Sequence, residues 1–135
     1  EVSKGGMILL NSLEEHTLKV LEYPYERYII QINPLFFQKE INTPEIISIF
    51  IKRPENFSHL LALTDPIWNY VYDVIQELEK EYREKRLYWE MYIGADLRRM
   101  FITIFRECEE LLASVRVDAS AAIAYKVLNY LDHHY

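Results

Sequence analysis

Glycine is scarce, with three in 135 residues, so no glycine-rich loop is available to cradle a phosphate. No P-loop, GxGxxG, GxSxG or HExxH pattern occurs either, which removes the common nucleotide, serine-hydrolase and zinc-protease signatures. Cysteine is reduced to Cys108, which has no second thiol to pair with, and no histidine cluster stands at metal-ligand spacing. That usage fits a reducing, cytoplasmic compartment. An excess of positive charge is also missing. Fifteen Lys and Arg against twenty-one Asp and Glu give a net charge of -6, the opposite of what neutralising nucleic-acid phosphates requires. By itself this chain should bind DNA poorly. The apolar runs are short, as in Met7 to Leu10, too short to span a bilayer, and the amino terminus lacks the basic-then-apolar order of a signal peptide.

What is present is aromatic and apolar. Eleven Tyr, six Phe and two Trp within a 50% hydrophobic composition supply a real core for one domain, with apolar surface to spare for an interface. Gly5-Gly6 followed by Met7 to Leu10, a polar bend and His16 reads as a turn, a buried strand and entry into a second strand. His16 to Leu21 alternates in the manner of a half-buried strand, and Arg27 to Ile32 resumes with β-branched and aromatic residues after a proline turn at Pro24. The spacing predicts a hairpin, and the order of events is that of the second half of a small β-barrel whose first half would precede this chain.

Beyond about residue 40 the pattern becomes helical. Asn33-Pro34 and Thr43-Pro44 each place a capping side chain before a proline that the first helical turn tolerates. The second of these helices should stop before Pro54, and His59 to Leu63 forms one more extended segment. Asp65-Pro66 repeats the signal and opens a helix over 66–84, with Ile67, Val71, Val74, Leu78 and Tyr82 on one face. A second long helix runs from Leu87 toward Leu112 with two apolar stripes: Ile93, Leu97, Met100, Ile104 and Leu111, then Phe101, Phe105, Cys108 and Leu112. Two stripes imply two neighbours: either the chain's own domain and a second subunit, or a single core that absorbs both. Residues 113–120 read as a linker, and 121–135 as a last amphipathic helix bearing Ile123, Val127, Leu128 and Leu131, too short to fold without a partner surface. The fold class is α+β, mostly helical with a few antiparallel strands.

Few residues are candidates for chemistry. A histidine on an inward strand face, such as His16, can bind metal, act as a base, touch a ligand or be satisfied structurally. Nothing near it supplies a converging ligand set, so no metal site, catalytic residue or cofactor is assigned. His59 and the pair His133-His134 stand apart from it, and Cys108 sits among apolar residues as an inert thiol. The ligand-facing candidates are His16, Tyr28 and Ile30. The pairing candidates are Ile93, Leu97, Met100, Phe101 and Ile104.

These segments, in this order, resemble the arabinose-regulator (AraC) family of bacterial transcription factors. GGMILLNSLEEH looks like the family's glycine-strand-bend-histidine signature, YPYERYIIQINPLFF is similar to its hairpin and proline-started helix, and FIKRPENFSHLLAL resembles the segment returning to the barrel. AIAYKVLNYLDHHY is similar to the first helix of the family's DNA-binding domain. Asn11, Leu13 and Val20 depart from the general cupin pattern and weaken any metal-binding inference. The resemblance implies a partial cupin-like sensor region over 1–64, a two-helix dimerisation region over 65–112, a linker over 113–120 and the start of a DNA-binding domain over 121–135. It further implies a homodimer through the long helices, a small-molecule effector, and DNA contact only through helix-turn-helix units beyond residue 135. The competing expectation is a free-standing cupin that binds or transforms a small molecule.

Overall fold

Prolines set the start of three helices, each where the first turn has no use for the missing amide. The computed structural model describes residues 2, 4–11, 14–51, 58–109, 127, 130 and 131, the side chains at 48 and 51 excepted. Helix α1 spans Pro34–Ile41. Asn33 Oδ1 accepts the amides of Leu35 and Phe36 at 2.9 and 3.3 Å, and Asn42 closes the helix in the left-handed conformation. Helix α2, Pro44–Ile51, also begins at its proline. Its flanking threonine behaves differently from expectation: the Thr43 hydroxyl donates back to the Ile41 carbonyl at 3.0 Å, joining the end of α1 to the start of α2.

Helix α3, Asp65–Glu84, starts one residue before the expected position, with Thr64 as the flanking residue and Asp65 inside the first turn, where its charge favours the helix dipole. The chain then reverses through Lys85 and Tyr88, both left-handed at φ 47° and 63°, into α4, Trp89–Glu107. Strands β1 (Gly6–Ile8) and β2 (Leu60–Ala62) form an antiparallel pair with Met7 opposite Leu61. Gly5 leads into β1 at φ +84°, a geometry that favours glycine.

The remaining expected strands are not formed. Residues 14–33 adopt neither strand nor helix, so His16 to Leu21, Arg27 to Ile32 and the hairpin at Pro24 are corrected to irregular chain. Alternation states which side of a strand would be buried, but backbone pairing must come from a partner, and a lone hairpin is marginal in water. Among the described residues the single ladder is β1 with β2. The expected linker 113–120 lies outside the described residues, as does most of 121–135. Val127, Tyr130 and Leu131 are helical and exposed.

One apolar cluster unites the elements. Leu9 just after β1, Leu61 from β2, Ile41, Ile46 and Ile49 from α1 and α2, Val71 and Leu78 from α3, and Leu97, Met100, Phe101 and Ile104 from α4 are all buried. Phe37, Phe50 and Phe101 meet edge to face, with centroids 5.1, 5.2 and 6.0 Å apart, and so lock α1 and α2 onto α4. The other side of α4 packs on α3. The described residues of both stripes therefore find neighbours inside the chain, while Leu111 and Leu112 lie outside the described residues. Of the five expected pairing residues, Leu97, Met100, Phe101 and Ile104 are 1–3% exposed and have no surface to offer a second copy as the chain stands. Ile93 is half-buried. Gly94 lets α1 approach, since a Cβ there would strike the Glu40 carboxylate, which also receives Arg98 at 3.9 Å.

Candidate functional site

Extended chain laid across a helical hairpin leaves a groove wherever its side chains fail to fill the space between. Here residues 28–33 cross α3 and α4 and form one wall of a cleft of about 530 Å³. Tyr28, Ile30 and Ile32 supply that wall, with Phe36 at its end. The Tyr28 ring meets Tyr72 of α3 edge to face at 5.7 Å, which ties the segment to the helix. The Tyr28 contact and its charge hold the Tyr72 phenol above its ordinary pKa, through a hydroxyl hydrogen bond first and electrostatic repulsion second.

The opposite wall comes from the facing sides of the helices: Ile75 and Leu78 from α3, Ile93 and Leu97 from α4. At one end Tyr82 and Trp89 stand edge to face at 5.9 Å across the α3–α4 turn. The Lys85 ammonium lies over both rings, 5.3 and 5.5 Å from their centroids. Glu79 of α3 and Glu90 of α4 complete the rim, together with the amides Gln31 and Asn33. The lining is thus mainly apolar with a few polar groups at the edge, the usual composition of a small-molecule pocket.

Tyr28 and Ile30, expected to face a ligand, share this cleft with Ile93 and Leu97, expected to pair subunits. His16 does not join them. Its side chain is exposed, and Nδ1 lies 3.2 Å from the Glu14 carbonyl oxygen, a local contact in a segment with no strand partner to define an inward side. Glu14, in the bend before His16, accepts the Asn11 amide at 2.8 Å and lies 3.8 Å from His59 Nδ1. Among the described residues no group of three or more His, Cys, Asp or Glu converges at metal-binding distance. Burial, with a smaller contribution from Glu107, pushes the Cys108 thiol above its ordinary pKa, which disfavours the thiolate.

Sequence reading missed Glu79, Tyr82, Trp89 and Glu90. Their signal was present in the polar run after Leu78 and the aromatic residues that close it, but only the chain reversal at residues 85–88 brings the two helix ends together. Asp96, farther along α4, has its carboxyl raised in pKa by burial, opposed by Arg99 and reinforced by Glu77 and Glu81 of α3. Among the described residues, no helix is long and apolar enough to cross a membrane. Comparison with family models, curated proteins and solved structures finds no match to this chain.

Proposed function

We propose that this chain is the effector-sensing and dimerisation portion of a bacterial transcription regulator of the AraC type, controlling DNA binding by helix-turn-helix units beyond residue 135. The observation that carries the reading is the shared cleft: the segment resembling the family's hairpin and the helix expected to couple subunits are two walls of one apolar cavity. A ligand between them would change how residues 28–33 rest on α3 and α4. Coupling of that kind needs only that the ligand bind one arrangement of the walls better than another.

Pairing of subunits would then use the outward side of α4, where Met91, Tyr92 and Ile102 are exposed, rather than the four residues committed to the core. Sedimentation velocity on the isolated chain should give a dimer, and Met91→Glu with Ile102→Glu should give a folded monomer. A wild-type monomer at high concentration would remove the pairing half of the reading. The regulatory half is tested by the coding sequence that flanks this segment. Short strands upstream and two helix-turn-helix units downstream are expected, and an unrelated downstream domain would overturn it. A free-standing cupin that binds or transforms a small molecule remains the competing reading; stoichiometric metal lost on His16→Ala would favour it.

A further inference from the structure

A cleft selects by charge as well as by shape, and the two charged side chains that line this one, Glu79 and Glu90, are both acidic. We propose that it takes lipophilic cations, molecules with a bulky apolar body and one positive charge. The proposal rests on the reading of the cleft as the effector site and names the class of effector.

Ile30, Ile32, Ile75, Leu78 and Ile93 offer an apolar surface with no hydrogen-bonding demand, suited to hydrocarbon or aromatic bulk. The ionisable groups at the rim are the carboxylates Glu79 and Glu90, one from each helix, and no Lys or Arg lies among the described lining residues. An anion entering would lose hydration and meet two like charges, while the nearby Lys85 ammonium is already engaged over the Tyr82 and Trp89 rings. A cation would exchange water for two carboxylates. The aromatic end adds a second argument, independent of the rim: the Lys85 ammonium already rests over the Tyr82 and Trp89 rings, so this wall accepts positive charge in the folded chain. A volume of about 530 Å³ falls within the range that encloses a drug-sized molecule.

Tetraphenylphosphonium and tetraphenylborate have nearly the same shape and opposite charge, so their comparison isolates the sign. Each is titrated calorimetrically into the chain, with Trp89 emission in a Trp68→Phe background reporting where binding occurs. The phosphonium is expected to saturate at one per chain, at least tenfold tighter than the borate, and to change Trp89 emission. Glu79→Gln with Glu90→Gln should weaken it about tenfold; both side chains are exposed, so circular dichroism should show an unchanged fold. Lys85→Gln should tighten it by removing the competing ammonium. Borate binding as tight as phosphonium binding would overturn the charge assignment while leaving the cleft as a binding site. An unchanged phosphonium affinity in the double glutamine variant would do the same. Failure of both ions to bind would overturn the cleft as an effector site altogether, whatever the flanking sequence shows of the regulator.

Discussion

Residues 16–32 and 89–107 are comparably rich in apolar side chains, yet most of the first lies open to solvent and the second closes the core. The difference is where each finds its backbone partners. A helix satisfies its amides and carbonyls within its own turns, so α4 arrives as a finished element and needs only surfaces to pack on. It finds them in α1 and α3. A strand must borrow its hydrogen bonds from another segment, and among the described residues none pairs with 16–32. Leu21 and Ile29 consequently remain more than 60% exposed despite their β-branched and apolar neighbours. Apolar content sets what a segment would like to bury, and backbone pairing decides whether it can.

The sharpest way to break this comparison is to strike the buried side. Phe101→Ala removes the ring shared by Phe37 and Phe50 and should cost about 3–5 kcal/mol, enough to unfold much of the population, as read from urea denaturation followed by circular dichroism. A loss below about 1 kcal/mol would mean that α1 and α2 are not seated on α4 as described. Smaller in scale, Asn33→Ala deletes the side-chain cap at the junction between the open segment and α1 and should cost about 1 kcal/mol by the same measurement. Restoration by Asn33→Ser or Asn33→Asp would separate capping from other effects.

Asp96 tests the seam between the two long helices. Because its folded pKa is raised, the charged carboxylate penalises folding at neutral pH, and the penalty is relieved as pH falls through the raised value toward the ordinary carboxylate range. Asp96→Asn should therefore stabilise modestly at pH 7, by up to about 0.5 kcal/mol, with the difference from wild type shrinking in acid. A thermal-denaturation series across pH measures it, and a variant less stable than wild type at pH 7 would show that attraction to Arg99 outweighs burial. Least of all should follow from Ile29→Ser in the open segment, within about 0.5 kcal/mol of no change, since that side chain has little burial to lose. A large loss there would mean that Ile29 packs on a surface in solution.

The same contrast explains what could be read in advance. Pro34, Pro44 and Pro66 marked three helix starts because the preference of proline for the first helical turn acts locally along the chain, although only Asn33 supplies the expected side-chain cap. The 3.6-residue repeat of Val71, Val74 and Leu78 marked the buried side of α3 for the same reason. Tyr28 and Ile30 were legible as ligand-facing candidates by their alternation, though the wall they form is irregular chain rather than strand. His16 was singled out by the same alternation and lies exposed, because alternation has meaning only once a sheet exists to give it two sides. Glu79, Tyr82, Trp89 and Glu90 could not be grouped from spacing, since the left-handed turn at Lys85 and Tyr88 decides which ends of α3 and α4 meet.

By itself, then, the order of residues determined the helices, the Asn33 cap and the apolar faces they must hide, all of which depend on contacts within a few positions along the chain. Only the tertiary arrangement decided that the described residues of both α4 stripes are spent inside the molecule, that β1 pairs with β2 across more than fifty residues, and that the rim of the cleft is acidic. Those outcomes turn on which distant surfaces compete for the same apolar face, and that competition is settled by packing and backbone pairing in space.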